Sequence, residues 1–316
     1  MRILFVTANR VGDAVLSTGI LAHLIAKHPS AQVTVVAGPS GASLFRRLPN
    51  LGQLIVMEKK RYGAHWLALW RHCVAQHWDI IVDLRRSLLA YCLPAGQRFV
   101  IPKAKRPMHR VELLASTIGL RSMPPPPTLW PEKSSKITTE KIKRIAIAPA
   151  ANWIGKQWSA KSFTELAVRL TASTGLFPGA RVAIFAAEAE RDQIQPLLEN
   201  LPKERCEDFV GAGDLSDVAS LLSLCDFFVG NDSGLMHMSA ALGIPTLGLF
   251  GPSRTEHYAP WGPKCSYVRT KESYDELVST PGYDHRTTGS LMGGLTVDAV
   301  EFAATQLAKN LGLTPQ

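Results

Sequence analysis

The chain has 316 residues, 46% of them hydrophobic, and a formal net charge of +9, enough apolar material to build two domains. No apolar run approaches the roughly 18 residues of a membrane span. Five dispersed cysteines without CxxC spacing indicate neither zinc nor a disulfide framework. The opening MRILFVTANR has no signal-peptide core or cleavage site, so a reducing cytoplasm is the expected compartment.

In chain order, Ile3 to Val6 reads as a buried strand. It leads through Val11-Gly12-Asp13 into an amphipathic helix carrying Val15, Leu16, Ile20, Leu21, Leu24 and Ile25. Val33 to Val36, Gln53 to Met57 and Ile80 to Val82 continue the strands, with a helix around Trp66 to Trp70 and a further short strand at Phe99 to Ile101. Such alternation predicts a parallel α/β sheet. Pro124 to Pro127 and the polar Glu132 to Lys143 then read as a semi-rigid linker. They separate an expected first domain, 1–135, from a second, 136–316.

The second series opens with a strand at Arg144 to Ala148. A helix from Ser159 to Thr171, a strand at Val182 to Phe185, and helices through Ile194 and Leu198 and over Val218 to Leu224 follow. Asp226 to Gly251 is the most informative stretch. An apolar strand (Phe227 to Val229), a polar hinge (Gly230 to Gly234), a helix to Leu242 and a second strand (Thr246 to Phe250) make a βαβ unit. Lys271 to Gly294 lacks periodicity and reads as a loop, and Thr296 to Leu307 as a terminal helix that could pack back on the first domain. Two such halves imply an α/β protein of two Rossmann-like domains facing across a cleft. Neither GxGxxG after the first strand nor a P-loop is present.

Four groups of residues carry possible chemistry. Gly12 permits a tight turn, and Asp13 either caps the first helix or serves as a general base. In the loop Asn152 to Trp158, Lys156 is either a solvated lysine or the counter-charge of a diphosphate, while Trp158 reads as packing. Glu188 and Glu190 are helix-start acids or acceptors for ribose hydroxyls, with no basis for choosing between them. Asp232, Ser233 and Gly234 offer caps, a glycine and free N–H groups at the positive end of a helix, with His237 one turn in; together they predict an anion-binding corner. Between Arg98 and Arg144 there are 11 Lys or Arg and 3 Glu, so most of the excess charge lies there. It is a solvated surface or a basic face for an acidic partner, with Lys103, Lys105, Arg106 and Arg110 as candidate contacts.

These residues resemble the heptosyltransferase family of glycosyltransferases, family nine. Three features carry the likeness: Val11-Gly12-Asp13, Lys156 with Trp158, and Asp232-Ser233-Gly234-Leu235-Met236-His237 followed by Gly243-Ile244-Pro245-Thr246 and Phe250-Gly251-Pro252. The resemblance implies a GT-B fold, an inverting mechanism, and neither metal nor cofactor beyond an ADP-sugar substrate. It implies Asp13 as catalytic base, Lys156 as the phosphate-contacting lysine, and Asp232, Ser233, Gly234 and His237 as the diphosphate loop. Asn152 would lie near the donor, and Glu188 or Glu190 would meet its ribose. Ser159 stands where family members often have proline, and the hydroxyl residues usual near Ala151-Asn152 are missing.

The expected reaction is transfer of a heptose or related sugar to a lipopolysaccharide core. The acceptor is an acidic glycolipid, reached by peripheral contact with the inner membrane. The alternatives are another GT-B enzyme, such as a nucleotide-sugar epimerase or a non-heptose transferase, and a non-catalytic basic binding module. No nucleic-acid-binding motif is present.

Overall fold

The computed structural model describes residues 1–104, 106–132, 143–279, 282–284 and 287–313. The chain forms two compact units, Met1–Glu132 and Lys133–Gln316. The expected boundary at 135 falls outside the described residues, as does Lys105.

The first unit contains β1 (Arg2–Val6), α1 (Val11–Lys27), β2 (Gln32–Ala37), β3 (Leu51–Val56), α2 (Ala64–Cys73), β4 (Trp78–Asp83), β5 (Ala95–Val100) and α3 (Arg110–Ser116). Its sheet has the order β3-β2-β1-β4-β5, parallel throughout. Ile3, Leu4, Phe5 and Val6 have no exposed surface, because a parallel sheet is covered on both faces. β5 begins at Ala95, four residues before the expected strand, and α3 occupies part of what reads as a basic linker. His109 caps α3, its ring nitrogen accepting from the Val111 N–H at 3.2 Å.

The proline run is no linker. It lies across α1 at Gly19, where a Cβ would sit 2.7 Å from the Pro126 carbonyl oxygen. Thr128 N–H donates to Thr18 Oγ1 at 2.9 Å, and Leu129 is buried. Proline rigidity, read in sequence as a spacer, here shapes a strap.

The second unit contains β6 (Arg144–Ala148), α4 (Ala160–Thr171), β7 (Arg181–Ile184), α5 (Arg191–Asn200), β8 (Cys206–Asp208), α6 (Leu215–Leu222) and β9 (Phe227–Asn231). It continues with α7 (Gly234–Ala241), β10 (Thr246–Phe250), α8 (Thr255–Tyr258), β11 (Cys265–Arg269), α9 (Tyr274–Val278) and α10 (Val297–Asn310). The parallel order is β11-β10-β9-β6-β7-β8. Edge strands β8 and β11 were not expected, being short or only half-buried. α9 lies inside the expected loop, where Ser273 and Glu276 form a capping box. The terminal helix α10 belongs to the second unit. Its apolar face (Val300, Ala304, Leu307, Ala308) is buried in the core of the second unit.

In each sheet the chain changes direction once, between β1 and β4 in the first unit and between β6 and β9 in the second. Open α/β sheets bind ligands beyond the carboxyl ends of strands at such a switch point.

Candidate functional site

In the second unit the loops leaving β6 and β9 meet at the switch point. Asn231, the fully buried last residue of β9, bridges them: its Nδ2 donates to the Pro149 carbonyl at 2.7 Å, and its Oδ1 accepts from Trp158 N–H at 3.2 Å. Trp158 is anchored in turn, its indole N–H donating to the Leu295 carbonyl at 2.8 Å. The loop between them is thereby fixed, and it carries Lys156 over the start of the next residue pair. Lys156 Nζ lies 2.6 Å from Asp232 Oδ2, and Ser253 Oγ donates to that same oxygen at 2.7 Å.

Ser233 occupies the N-cap position of α7 with an extended backbone, and its side chain caps nothing. Its hydroxyl oxygen is buried without a hydrogen-bond partner among the described residues. Buried polar atoms are normally satisfied, so this one marks a place where a ligand oxygen would be welcome. His237 follows in the first turn, buried, its ring 6.4 Å from that of Tyr258. A lysine cation, a free hydroxyl and a helix N-terminus at one switch point suit a diphosphate.

The other donor-side candidates separate. Glu190 caps its own loop, a carboxylate oxygen accepting from Ala187 N–H at 2.9 Å. Glu188 is exposed and paired with Arg191 at 2.9 Å, and Asn152 is exposed. All three lie on loops that leave β6 or β7, neighbours in the sheet.

In the first unit Arg10, not Asp13, is the N-cap of α1. Asp13 lies in the first turn, after Gly12, and faces Arg110 at the start of α3. The two side chains are mostly buried and 3.0 Å apart, Arg110 Nε to Asp13 Oδ1. Arg110 is therefore a partner of Asp13, whereas Lys103 and Arg106 are exposed. Arg98, exposed at the head of the expected basic face, donates to the carbonyls of Ala90, Leu93 and Ala95.

Sequence reasoning missed the loop after β4. Asp83 is fully buried and accepts from the N–H groups of Arg85 and Ser87, both at 2.8 Å, and from Ser87 Oγ at 2.6 Å. Arg85 then reaches across the switch point, its Nε donating to the Thr7 carbonyl at 2.5 Å, while its Nη2 is buried without a hydrogen-bond partner among the described residues. Burial pushes this guanidinium below its usual value, with Asp83 acting the other way. Asn231 and Ser253 were missed too, because each acts through a residue distant in sequence.

A family model for glycosyltransferase family 9 (heptosyltransferase) matches residues 108–282, more than half of the chain. The chain belongs to glycosyltransferase family 9. Lys156, Asp232, Ser233, Gly234 and His237 of this family 9 chain fall inside the matched residues, and Asp13 precedes them. Lipopolysaccharide heptosyltransferase 2 of Salmonella typhimurium is 26% identical, over 88% of this chain and 90% of that protein. The crystal structure of the family 9 glycosyltransferase of Veillonella parvula has a TM-score of 0.77 at 20% identity, covering 98% of this chain and 97% of that one. The ADP-heptose lipopolysaccharide heptosyltransferase II of E. coli has a TM-score of 0.74 at 22% identity, covering 99% and 100% respectively. The fold of the family 9 chain is thus GT-B, as the resemblance implied. Among the described residues no cluster of His, Cys, Asp or Glu could hold a metal ion, and no helix is long and apolar enough to cross a membrane.

Proposed function

We propose that this glycosyltransferase moves a heptose from ADP-heptose to the core of a lipopolysaccharide acceptor, with inversion and without a required metal or cofactor. The observation that carries the reading is the second unit's corner, where Asp232 and Ser253 fix Lys156 beside the N-terminus of α7. Lys156, the Ser233 hydroxyl and the first N–H groups of α7 would hold the diphosphate. Asp232 pairs with Lys156, so its part is to hold that side chain in place rather than to touch phosphate. Glu188, whose carboxylate is not tied to a backbone cap, is the better candidate for the ribose hydroxyls.

Asp13 would take the proton of the acceptor hydroxyl. The oxygen then attacks C1 of the sugar from the face opposite the diphosphate, a new C–O bond forms, and the bond from C1 to the diphosphate oxygen breaks, its electron pair staying on that oxygen of the departing ADP. Charge develops on that departing phosphate, and each preorganised donor aimed at such charge contributes about 2.7–4 kcal/mol. The likeness to proteins named for ADP-heptose and lipopolysaccharide supports the choice of donor and acceptor.

Calorimetric titration with ADP and UDP in parallel tests the donor side. ADP should bind selectively, and Lys156→Ala should weaken it. Preference for UDP would remove ADP-heptose from the reading, and a sugar rearranged without any acceptor would favour a nucleotide-sugar epimerase.

A further inference from the structure

Of the seven large apolar side chains exposed among the described residues of the first unit, four lie on or beside α2 and the loop after β4; Met1, Val56 and Met123 lie elsewhere. Tyr62 is fully exposed, Leu88 80%, Tyr91 66% and Leu67 50%. Tyr62 lies just before α2, Leu67 lies on it, and Leu88 and Tyr91 lie on a single 3-10 turn, Leu88–Tyr91. Two contacts join these segments into one surface. The Arg85 guanidinium lies 5.9 Å from the Trp66 ring, and the Trp70 indole N–H donates to the Cys92 carbonyl at 3.0 Å. Underneath, Trp66 and Trp70 pack on the buried cluster that includes Leu89, Ala90 and Leu93. Exposed apolar side chains grouped in this way mark a binding surface.

The charge of the same surface says what it binds. Lys59, Lys60, Arg61, Arg71 and Arg86 are exposed, and residues 59–71 and 84–91 contain no Asp or Glu, the exposed Glu58 lying at the edge of the first stretch. None of these five cations pairs with a carboxylate among the described residues. Tyr62 and Arg86 each have φ of 54°, a left-handed conformation that such residues rarely adopt. Protein interfaces are depleted of charge at their centres. Aromatic and aliphatic side chains ringed by uncompensated Lys and Arg suit the headgroup zone of an anionic bilayer, where rings sit at the boundary and cations meet lipid phosphates.

We propose that this surface docks the protein on an anionic phospholipid bilayer. Tyr62, Leu88 and Tyr91 enter the headgroup region, and Lys59, Lys60, Arg61 and Arg86 contact phosphates around them. The inference deepens the functional reading, since a lipid-borne acceptor is presented at such a surface, and it moves the membrane contact away from the Arg98–Arg110 segment.

The test is co-sedimentation of the full chain with vesicles, without donor or acceptor, using phosphatidylcholine alone or phosphatidylcholine with phosphatidylglycerol. The wild type should bind only the anionic vesicles, and less as salt rises. Combined Tyr62→Ser, Leu88→Ser and Tyr91→Ser should weaken binding at least about tenfold, and combined Lys59→Glu, Lys60→Glu and Arg61→Glu should abolish it; each added cation contributes roughly fivefold. Lys103→Glu with Arg106→Glu should bind as wild type. Unchanged melting temperatures would confirm that the variants fold. Equal wild-type binding to both vesicle types, absence of binding, or full retention in the triple variants would overturn the proposal. Transfer to a delipidated acceptor reads the chemistry separately: its failure counts against the heptosyl reading, while vesicle binding alone decides the docking surface.

Discussion

Lys156 and Asp232 meet at 2.6 Å across the junction of β6 and β9, although 76 residues separate them in the chain. The contact joins two loops that leave adjacent parallel strands, and Ser253 donates to the same carboxylate oxygen. Lys156→Ala should lower kcat about 10²–10³-fold. Asp232→Asn should lower kcat by roughly tenfold while ADP affinity is kept or rises, because a negative charge beside the diphosphate has been removed. Paired kinetics and calorimetry check both. A parallel loss of ADP affinity in Asp232→Asn would make Asp232 a direct ligand instead.

The pair Asp13–Arg110 admits two roles, base with a holder or structural ion pair. As a base, Asp13→Asn should reduce turnover about 10²–10⁴-fold with ADP affinity unchanged, and Arg110→Ala should cost far less. As a structural pair, both substitutions would lower the melting temperature alike and leave turnover close to wild type. Steady-state kinetics beside thermal melts separate the two.

Gly19 lies in α1 beneath the proline strap. A larger residue there meets the Pro125 and Pro126 carbonyls, which are backbone and held by their own ring geometry. Gly19→Val should destabilise the protein by about 1–3 kcal/mol, despite replacing a poor helix former. Denaturant unfolding measures it.

Glu207 receives Arg144 at 2.5 Å and Arg181 at 3.1 Å. Burial alone would raise its carboxyl, but the hydrogen bonds and charge of Arg144, with those of Arg181, hold it below the ordinary value. A depressed carboxylate contributes stability above its unfolded-state value and loses it as pH falls through the folded-state value. Glu207→Gln should therefore be less stable than wild type at pH 7, and the difference should shrink below about pH 4. Urea unfolding across that range provides the measurement.

The strands that build both sheet centres were legible because they are unbroken apolar runs, as at Ile3 to Val6 and Phe227 to Val229. The strand–hinge–helix that carries Asp232, Ser233, Gly234 and His237 was legible because the four are near neighbours in sequence. What escaped depends on distant partners. Cys206–Asp208 and Cys265–Arg269 become strands by pairing with β7 and β10, and nothing in their own composition demands it. Arg110 reads as one more basic residue until α3 brings it to Asp13. Pro124 to Pro127 looked like a spacer because proline stiffness says nothing of what the stiff segment rests on; Gly19, more than a hundred residues earlier, is the other half of that signal.

The most direct measurement of the central claim is a reaction of the purified protein with ADP-heptose and a lipopolysaccharide core acceptor, following ADP release and the anomeric configuration of the product. The account predicts stoichiometric ADP and glycoside, inverted at C1, with turnover lost in Asp13→Asn. A product of retained configuration, or ADP released with no glycosylated acceptor, would contradict it.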